Sequence, residues 1–318
     1  MKRPRESGEV HTAAPPARAL LPSAAGGSSP QAVISGLFET AERGGPGQPR
    51  DALQLVAFEG AEGDVHRCAS SPRQVLLLSE ADRAWLGAAP GAAGENILVR
   101  GLDLGKLGSG AEVRLGAAGA AVRLTQPCEP CYKLKPALST GRSLKDTEGR
   151  RGYLATVSHG GRISAGEAVE ACSGVFEALP ESNEARFRAL LPRVPRGRVV
   201  TYLDLATILG LSKSAVRVLP LFLKRGAPLK VPVHRVVDSS GNLVKHVAGQ
   251  RALLEAEGVV VEQDTAGRSC GSVDLARFRW CIEHEGHKLL FGTRPQQAGG
   301  SDGACKTKCA KYIGVKKK

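Results

Sequence analysis

Between residues 52 and 124 the apolar positions fall in short runs separated by glycine-rich breaks. Leu53-Gln54-Leu55-Val56-Ala57-Phe58 alternates, then runs apolar, and turns at Gly60. Val75-Leu76-Leu77-Leu78 has the length and composition of a buried strand, and residues 111–115 and 121–124 alternate with period two across a glycine-rich turn. Residues 79–86 break the series. Ser79 stands at an N-cap with Asp82 three residues on, the capping-box spacing, which predicts a short helix. For residues 31–172 these signals predict a β-rich domain built on a small, closed, mostly antiparallel sheet.

The period then changes. Residues 173–183 form a linker with Gly174, Pro180 and Ser182. From Asn183 a helical spacing puts Phe187, Leu190 and Leu191 on one side, and Pro192 ends it. A second helix covers residues 202–209, with Thr201 as N-cap, Asp204 at the third position and Gly210 as terminator. Ser212 starts a third helix over residues 213–225. The order predicts a small α+β, winged-helix-like domain over residues 184–280 with a helix-turn-helix, whose second helix would lie on DNA.

Length and charge sharpen this picture. A chain of 318 residues holds two ordinary domains with tails. The formal charge of +13 is unevenly spread: residues 186–251 carry 13 Lys or Arg against 2 Asp, and residues 288–318 carry 8 against 1. The rest is net negative. Positive charge confined to the second domain and the tail, residues 281–318, is the footprint of a phosphate-backbone partner that gains by counterion release. Residues 1–30 are Ala, Pro, Gly and Ser with scattered charge, a composition that predicts disorder. Eight irregularly spaced cysteines do not make a disulfide scaffold. No run reaches the roughly 18 apolar residues of a membrane span. The start of the chain is not followed by an apolar signal-peptide core. The expectation is an intracellular protein of nucleus or cytoplasm, with an organelle as the alternative, mostly reduced thiols and no membrane partner.

A second layer of motifs runs through the first domain. In order they are Gly63-Asp64-Val65-His66, Arg73-Gln74-Val75, Gly94-Glu95-Asn96-Ile97, Gly101-Leu102-Asp103-Leu104, Thr125-Gln126-Pro127-Cys128-Glu129-Pro130-Cys131, Arg151-Gly152-Tyr153 and Gly160–Glu167. Their order and spacing resemble the MOSC domain, the C-terminal module of molybdenum cofactor sulfurases. The resemblance implies molybdenum ion binding, pyridoxal phosphate binding and catalytic activity, either molybdenum-dependent oxidoreduction or sulfur transfer. It also implies a sulfur or electron donor protein as partner. In that family one cysteine holds sulfur as a persulfide or ligates molybdenum of the molybdopterin cofactor. Cys131 matches it in Pro130-Cys131-Tyr132-Lys133-Leu134. A soft, low-pKa thiolate suits both roles. For an anionic cofactor, Arg73 and Lys133 are candidates to pair with phosphate, Asn96 to bond the pterin through its amide, and His66, beside Asp64, to position a proton or water. Cys128 and Cys131 have C-x-x-C spacing, so a dithiol, two core cysteines, or a zinc half-site with Cys305 and Cys309 are the alternatives. A single such pair is poor for structural zinc, and zinc is not expected.

Residues 186–280 resemble the DNA-binding domain of the O6-alkylguanine-DNA alkyltransferase family. Thr201-Tyr202-x-x-Leu205-Ala206 matches the motif whose tyrosine sits against the target phosphate. Arg217 matches the arginine that fills the gap left by a flipped base, a task that suits a planar guanidinium. Lys213, His234 and Arg235 complete the DNA-facing candidates. The family run Pro-Cys-His-Arg-Val reads here Pro232-Val233-His234-Arg235-Val236. Valine is no nucleophile, so the alkyl-accepting step is absent and the match is to the alkyltransferase-like proteins, which recognise altered bases without repairing them. On that resemblance His234 and Glu257 hold a pocket floor, and His246 stands where transferases have a tyrosine. Pro220 would lie inside the third helix, at a cost of about 3 kcal/mol. The implied whole is a cofactor- or sulfur-handling module joined to a non-catalytic reader of double-stranded DNA, possessing no alkyltransferase activity. The alternative is a pure DNA-binding protein with both active sites decayed.

Overall fold

The structure, a computed structural model, describes residues 31–139, 141–211, 213–263 and 271–280, with the backbone alone for residues 213–215. The predicted disorder of residues 1–30, the basic tail, the Ser212 helix start, Cys270, Cys281, Cys305 and Cys309 lie outside the described residues.

The first unit holds eleven strands: β1 (Val33–Glu39), β2 (Gln48–Arg50), β3 (Ala52–Val56), β4 (Gly60–Ala61), β5 (Val75–Ser79), β6 (Ile97–Arg100), β7 (Glu112–Leu115), β8 (Ala120–Pro127), β9 (Tyr153–His159), β10 (Gly161–Ser164) and β11 (Val169–Cys172). Eight of them form one sheet in the order β11-β7-β8-β9-β5-β6-β1-β2, and β10-β3-β4 form a second. Every pairing in the large sheet is antiparallel except β5 with β6. The expected closed sheet is not found. The order starts at β11 and ends at β2, and one isolated bridge, Val33 to Ala168, links β1 to the entrance of β11. Backbone bonds from Ile34 N to Glu167 O and from Val169 N to Ala32 O accompany that bridge without extending into a strand pairing, and β2, an exposed three-residue strand containing Pro49, blunts the outer edge.

Strand β5 is buried along its whole length, which explains its unbroken apolar sequence. Its Val75 and Leu77 enter the main core with Ile97, Val113, Val122 and Val157. Its Leu78 packs instead with Leu86, Leu98 and Leu134, and Leu76 with Cys128 and Leu154. The helix after it, α1 (Glu80–Leu86), starts where predicted: Ser79 Oγ accepts from Asp82 N at 3.0 Å, and Gly87 ends it at φ +71°. Strand β8 slips register against β9 at two places, the second between Leu124 and Gln126. Such bulges bend and re-aim a strand, and β8 runs directly into the loop bearing Cys128 and Cys131. A four-residue helix, α2 (Leu104–Leu107), capped by Asp103, lies between β6 and β7.

The second unit is mainly helical. It holds α3 (Asn183–Leu190), α4 (Tyr202–Ile208), α5 (Leu219–Gly226), α6 (Gln250–Glu255) and α7 (Leu275–Phe278). Two small sheets join them: β12 (Val200–Thr201) with β13 (Val236–Val237), parallel, and β14 (Val261–Glu262) with β15 (Ser272–Val273), antiparallel. The Thr201 capping box forms as predicted, with Asp204 N reaching Thr201 Oγ1 and Thr201 N reaching Asp204 Oδ2. Asp204 also takes both arms of Arg279, which ties the segment after α7 to the start of α4. The predicted single helix over residues 213–225 is corrected. Lys213–Val218 is a 3-10 turn, and α5 begins only at Leu219. Pro220 explains the break: in the first turn of α5 it forfeits no hydrogen bond, so the expected cost of an interior proline does not arise. Phe187 of α3 meets Phe222 of α5 at 5.7 Å between ring centres, inside a core that includes Leu205, Leu223, Val233 and Trp280.

Candidate functional site

The turn after β8 places Cys128 and Cys131 in opposite environments. Cys128 is buried between Leu76 and Leu154, and burial pushes its thiol up. Cys131 is half-buried and begins the 3-10 turn Tyr132–Ala137. Burial opposes its ionisation too, but the Arg151 guanidinium and the backbone N–H groups of Lys133 and Leu134 outweigh it, so this thiol sits below its ordinary value. Arg151 Nη1 donates to Cys131 Sγ at 3.0 Å and to the Glu129 carbonyl at 2.7 Å. Its Nε is buried without a hydrogen-bond partner. Tyr132, Lys133 and Lys135 lie exposed beside the thiol.

Arg151 was not singled out from the sequence as a site residue, although it stands in the Arg151-Gly152-Tyr153 motif. It comes to Cys131 because β9 follows it and pairs with β8, with Pro127 opposite Tyr153. Glu95 is a second such residue. It is fully buried, Gly91 N donates to its Oε1 at 2.8 Å, and burial pushes its carboxyl up.

The other candidates of the first unit are placed differently. Asn96 is buried with its amide engaged: Oδ1 accepts from Leu76 N at 3.0 Å, and Nδ2 donates to Asp64 Oδ2 at 2.7 Å and to the Phe38 carbonyl at 3.3 Å. Asp64 is the hub. Against the effect of burial, bonds from His66 and Thr40 N hold its carboxyl below the usual range. His66 Nδ1 meets Asp64 Oδ1 at 3.0 Å, the orientation expected for that pair. Arg73 gives Nη1 to the Gly210 carbonyl of the second unit at 3.2 Å. Lys133 meets Cys131 through its backbone N–H. Among the described residues, no group of three or more His, Cys, Asp or Glu could hold a metal ion.

In the second unit Tyr202 Oη lies 3.1 Å from His246 Nε2. Burial and then Asp238 push the phenol up to about 12, so Tyr202 keeps its proton at neutral pH. Arg217 lies next to last in the 3-10 turn and is exposed, with exposed Val218 and Leu221 following it. The Lys213 side chain lies outside the described residues. His234 and Arg235 turn inward rather than toward solvent. His234 Nε2 lies 3.0 Å from Glu257 Oε1, and Arg235 reaches both Glu257 oxygens and the Val194 carbonyl. Against the effect of burial, these partners draw the Glu257 carboxyl down to about 2. The pair was expected to face DNA; the structure turns both side chains to the Glu257 carboxylate instead. Val233 is 4 % exposed and packs in the core formed by Phe187 and Leu223.

Comparison with known proteins adds the family context. The model for the 6-O-methylguanine DNA methyltransferase DNA-binding domain matches residues 183–259, and the MOSC domain matches residues 64–170. The DNA base-flipping protein of Escherichia coli is 31 % identical over 123 residues, covering 34 % of this chain and 91 % of that one. A methylated-DNA–protein-cysteine methyltransferase from Thermococcus sibiricus is 37 % identical over 87 residues, covering 26 % of this chain and 48 % of its own length. Among solved structures, S. pombe Atl1 in complex with damaged DNA containing O6-carboxymethylguanine is 27 % identical, with TM-score 0.28, covering 31 % of this chain and 94 % of that chain.

Proposed function

Since the chain belongs to the family of the 6-O-methylguanine DNA methyltransferase DNA-binding domain, carried behind a MOSC domain, we propose that it reads altered bases in duplex DNA without repairing them and that Cys131 gives its first unit a separate thiol chemistry. The observation that carries the reading is the contrast between Val233, a buried valine in the family's nucleophile position, and Cys131, a thiol favoured as thiolate by Arg151.

On the DNA side the residues divide by task. Exposed Arg217 supplies a planar cation to enter the duplex where a base is extruded. Tyr202, kept protonated, donates toward the phosphate beside it, and His246 lies against its hydroxyl. Lys213 and Lys224 supply charge to the backbone. The Glu257–His234–Arg235 network holds the shape of the pocket wall and moves no proton.

On the thiol side the residues fit a soft, anionic group. Cys131 offers a thiolate, and the unpartnered Nε of Arg151 and the exposed Lys133 offer positive charge. A molybdenum cofactor would be held through Cys131 and would supply two-electron redox chemistry there; a persulfide on the same sulfur would serve sulfur transfer. Asn96 has its amide engaged inside the protein, and Arg73 gives one guanidinium nitrogen to the Gly210 carbonyl. A sulfur or electron donor protein would be the partner of this half.

The test has two arms. Metal and sulfane-sulfur content of Cys131→Ser beside Cys128→Ser and the parent reads the first unit: loss confined to Cys131→Ser supports it, and full retention in Cys131→Ser removes that residue from the site. Binding of a duplex carrying O6-methylguanine, with the methyl group followed, reads the second: preferential binding without transfer supports it.

A further inference from the structure

The loop that carries Cys131 is gripped from two directions. Within the first unit one guanidinium nitrogen, Arg151 Nη1, serves both Cys131 Sγ and the Glu129 carbonyl, at 3.0 and 2.7 Å. From the second unit Asn183 Nδ2 donates to Glu129 Oε1 at 3.0 Å. Asn183 Oδ1 accepts in turn from Arg186, a 1 % exposed arginine whose Nη2 stands 4.0 Å from the same Glu129 carboxylate. Arg186 Nε holds the Leu209 carbonyl at 3.2 Å. The next carbonyl, Gly210, accepts from Arg73 Nη1 and Gln126 Nε2 of the first unit, both at 3.2 Å. A Cβ on Gly210 would fall 2.8 Å from Gln126 Nε2 and 2.9 Å from Pro72 Cγ, so the turn after α4 lies directly against the first unit. The contacts run unbroken from the thiol to the turn before Lys213.

We propose that Asn183 is a positioning residue for Cys131: the second unit completes the thiol site of the first by fixing Glu129. The proposal rests on the reading of Cys131 as the reactive thiol. Because the Glu129 carbonyl and the Cys131 sulfur share one guanidinium nitrogen, a shift of Glu129 takes Arg151 with it. The remaining contact of that guanidinium, Nη2 to the Ala93 carbonyl at 3.5 Å, is too long to hold it alone. When Glu129 moves, the Arg151 Nη1 donor moves away from the Cys131 sulfur.

The experiment is alkylation of the full-length protein by iodoacetamide, with Cys131 resolved by peptide mass spectrometry and its rate followed across pH. The parent should give an apparent thiol pKa below the ordinary value. Asn183→Ala changes no charge and should slow Cys131 alkylation at neutral pH about threefold. Glu129→Gln keeps an oxygen for Asn183 and should not slow it. Arg225→Ala removes the 3.1 Å ion pair to Glu184 on the same helix, away from Glu129, and should leave the profile at the parent's. An Asn183→Ala profile that superimposes on the parent's overturns the proposal, as does equal slowing by Arg225→Ala. A parent Cys131 that titrates as an ordinary thiol overturns the reading of Cys131 itself, an outcome visible before any variant is measured.

Discussion

The two units each keep a charged network beside their family's reactive position, and the two networks do different work. Beside Cys131 stands Arg151, a cation with an unsatisfied Nε and a sulfur as its partner. Beside Val233 stand His234 and Arg235, both taken up by Glu257, with a buried valine as neighbour. The first network acts on an ionisable group that solvent reaches. The second is closed on itself. A cluster of charged side chains therefore marks reactivity only when it faces a group able to react; otherwise the same residue types serve folding.

The largest effect that sharpens this contrast is on stability. Glu257→Gln leaves Arg235 in a mostly enclosed site with a neutral partner, and should cost about 2–4 kcal/mol in denaturant unfolding. The pH dependence has a definite sign. The Glu257 carboxyl is held at about 2 in the folded chain against an ordinary 4.5. Its contribution is therefore full above pH 4.5 and lost as pH falls toward 2. The parent should lose stability through that window, and Glu257→Gln should lack this component. Equal slopes would show that Glu257 is not the titrating group. Arg151→Ala should leave a folded chain whose Cys131 alkylates about tenfold more slowly at neutral pH, since the guanidinium that favours its thiolate is gone. An unchanged rate would break the contrast on its reactive side.

Both networks bear on what the sequence discloses. The capping box at Thr201 and Asp204 was legible because its partners are three residues apart and the contacts are local. The position of Cys131 was legible from its proline-flanked setting. Arg151 was not, because it reaches the sulfur across the β8–β9 pairing, 20 residues away. Arg73 and Asn96 were read as cofactor contacts, a cation for phosphate and an amide for the pterin. Their real partners lie 137 and 32 residues away, at Gly210 and Asp64, and no local pattern signals them. The bond from Arg235 to Glu257 was hidden for the same reason, its carboxylate being 22 residues on. Pro220 was read inside a helix because the apolar spacing continues through a change from 3-10 turn to α-helix.

Smaller effects belong to the DNA face. Arg217→Ala should weaken binding to a lesion-bearing duplex about fivefold to tenfold and to an unmodified duplex less, because filling the gap matters only when a base is out. Equal losses on both duplexes would reduce Arg217 to a phosphate contact. Lys224→Ala should weaken both duplexes alike, about twofold to threefold, and lower the salt slope by about one unit.

The central claim is that the position held by Val233 binds without chemistry while Cys131 keeps a reactive thiol for another purpose. The most direct measurement incubates the full chain with a duplex carrying a labelled O6-methylguanine and follows bound DNA and intact protein mass together. The account predicts preferential retention of the lesion duplex, the label remaining on the base, and no mass gain on the protein. A methyl group recovered on any cysteine of this chain would contradict it.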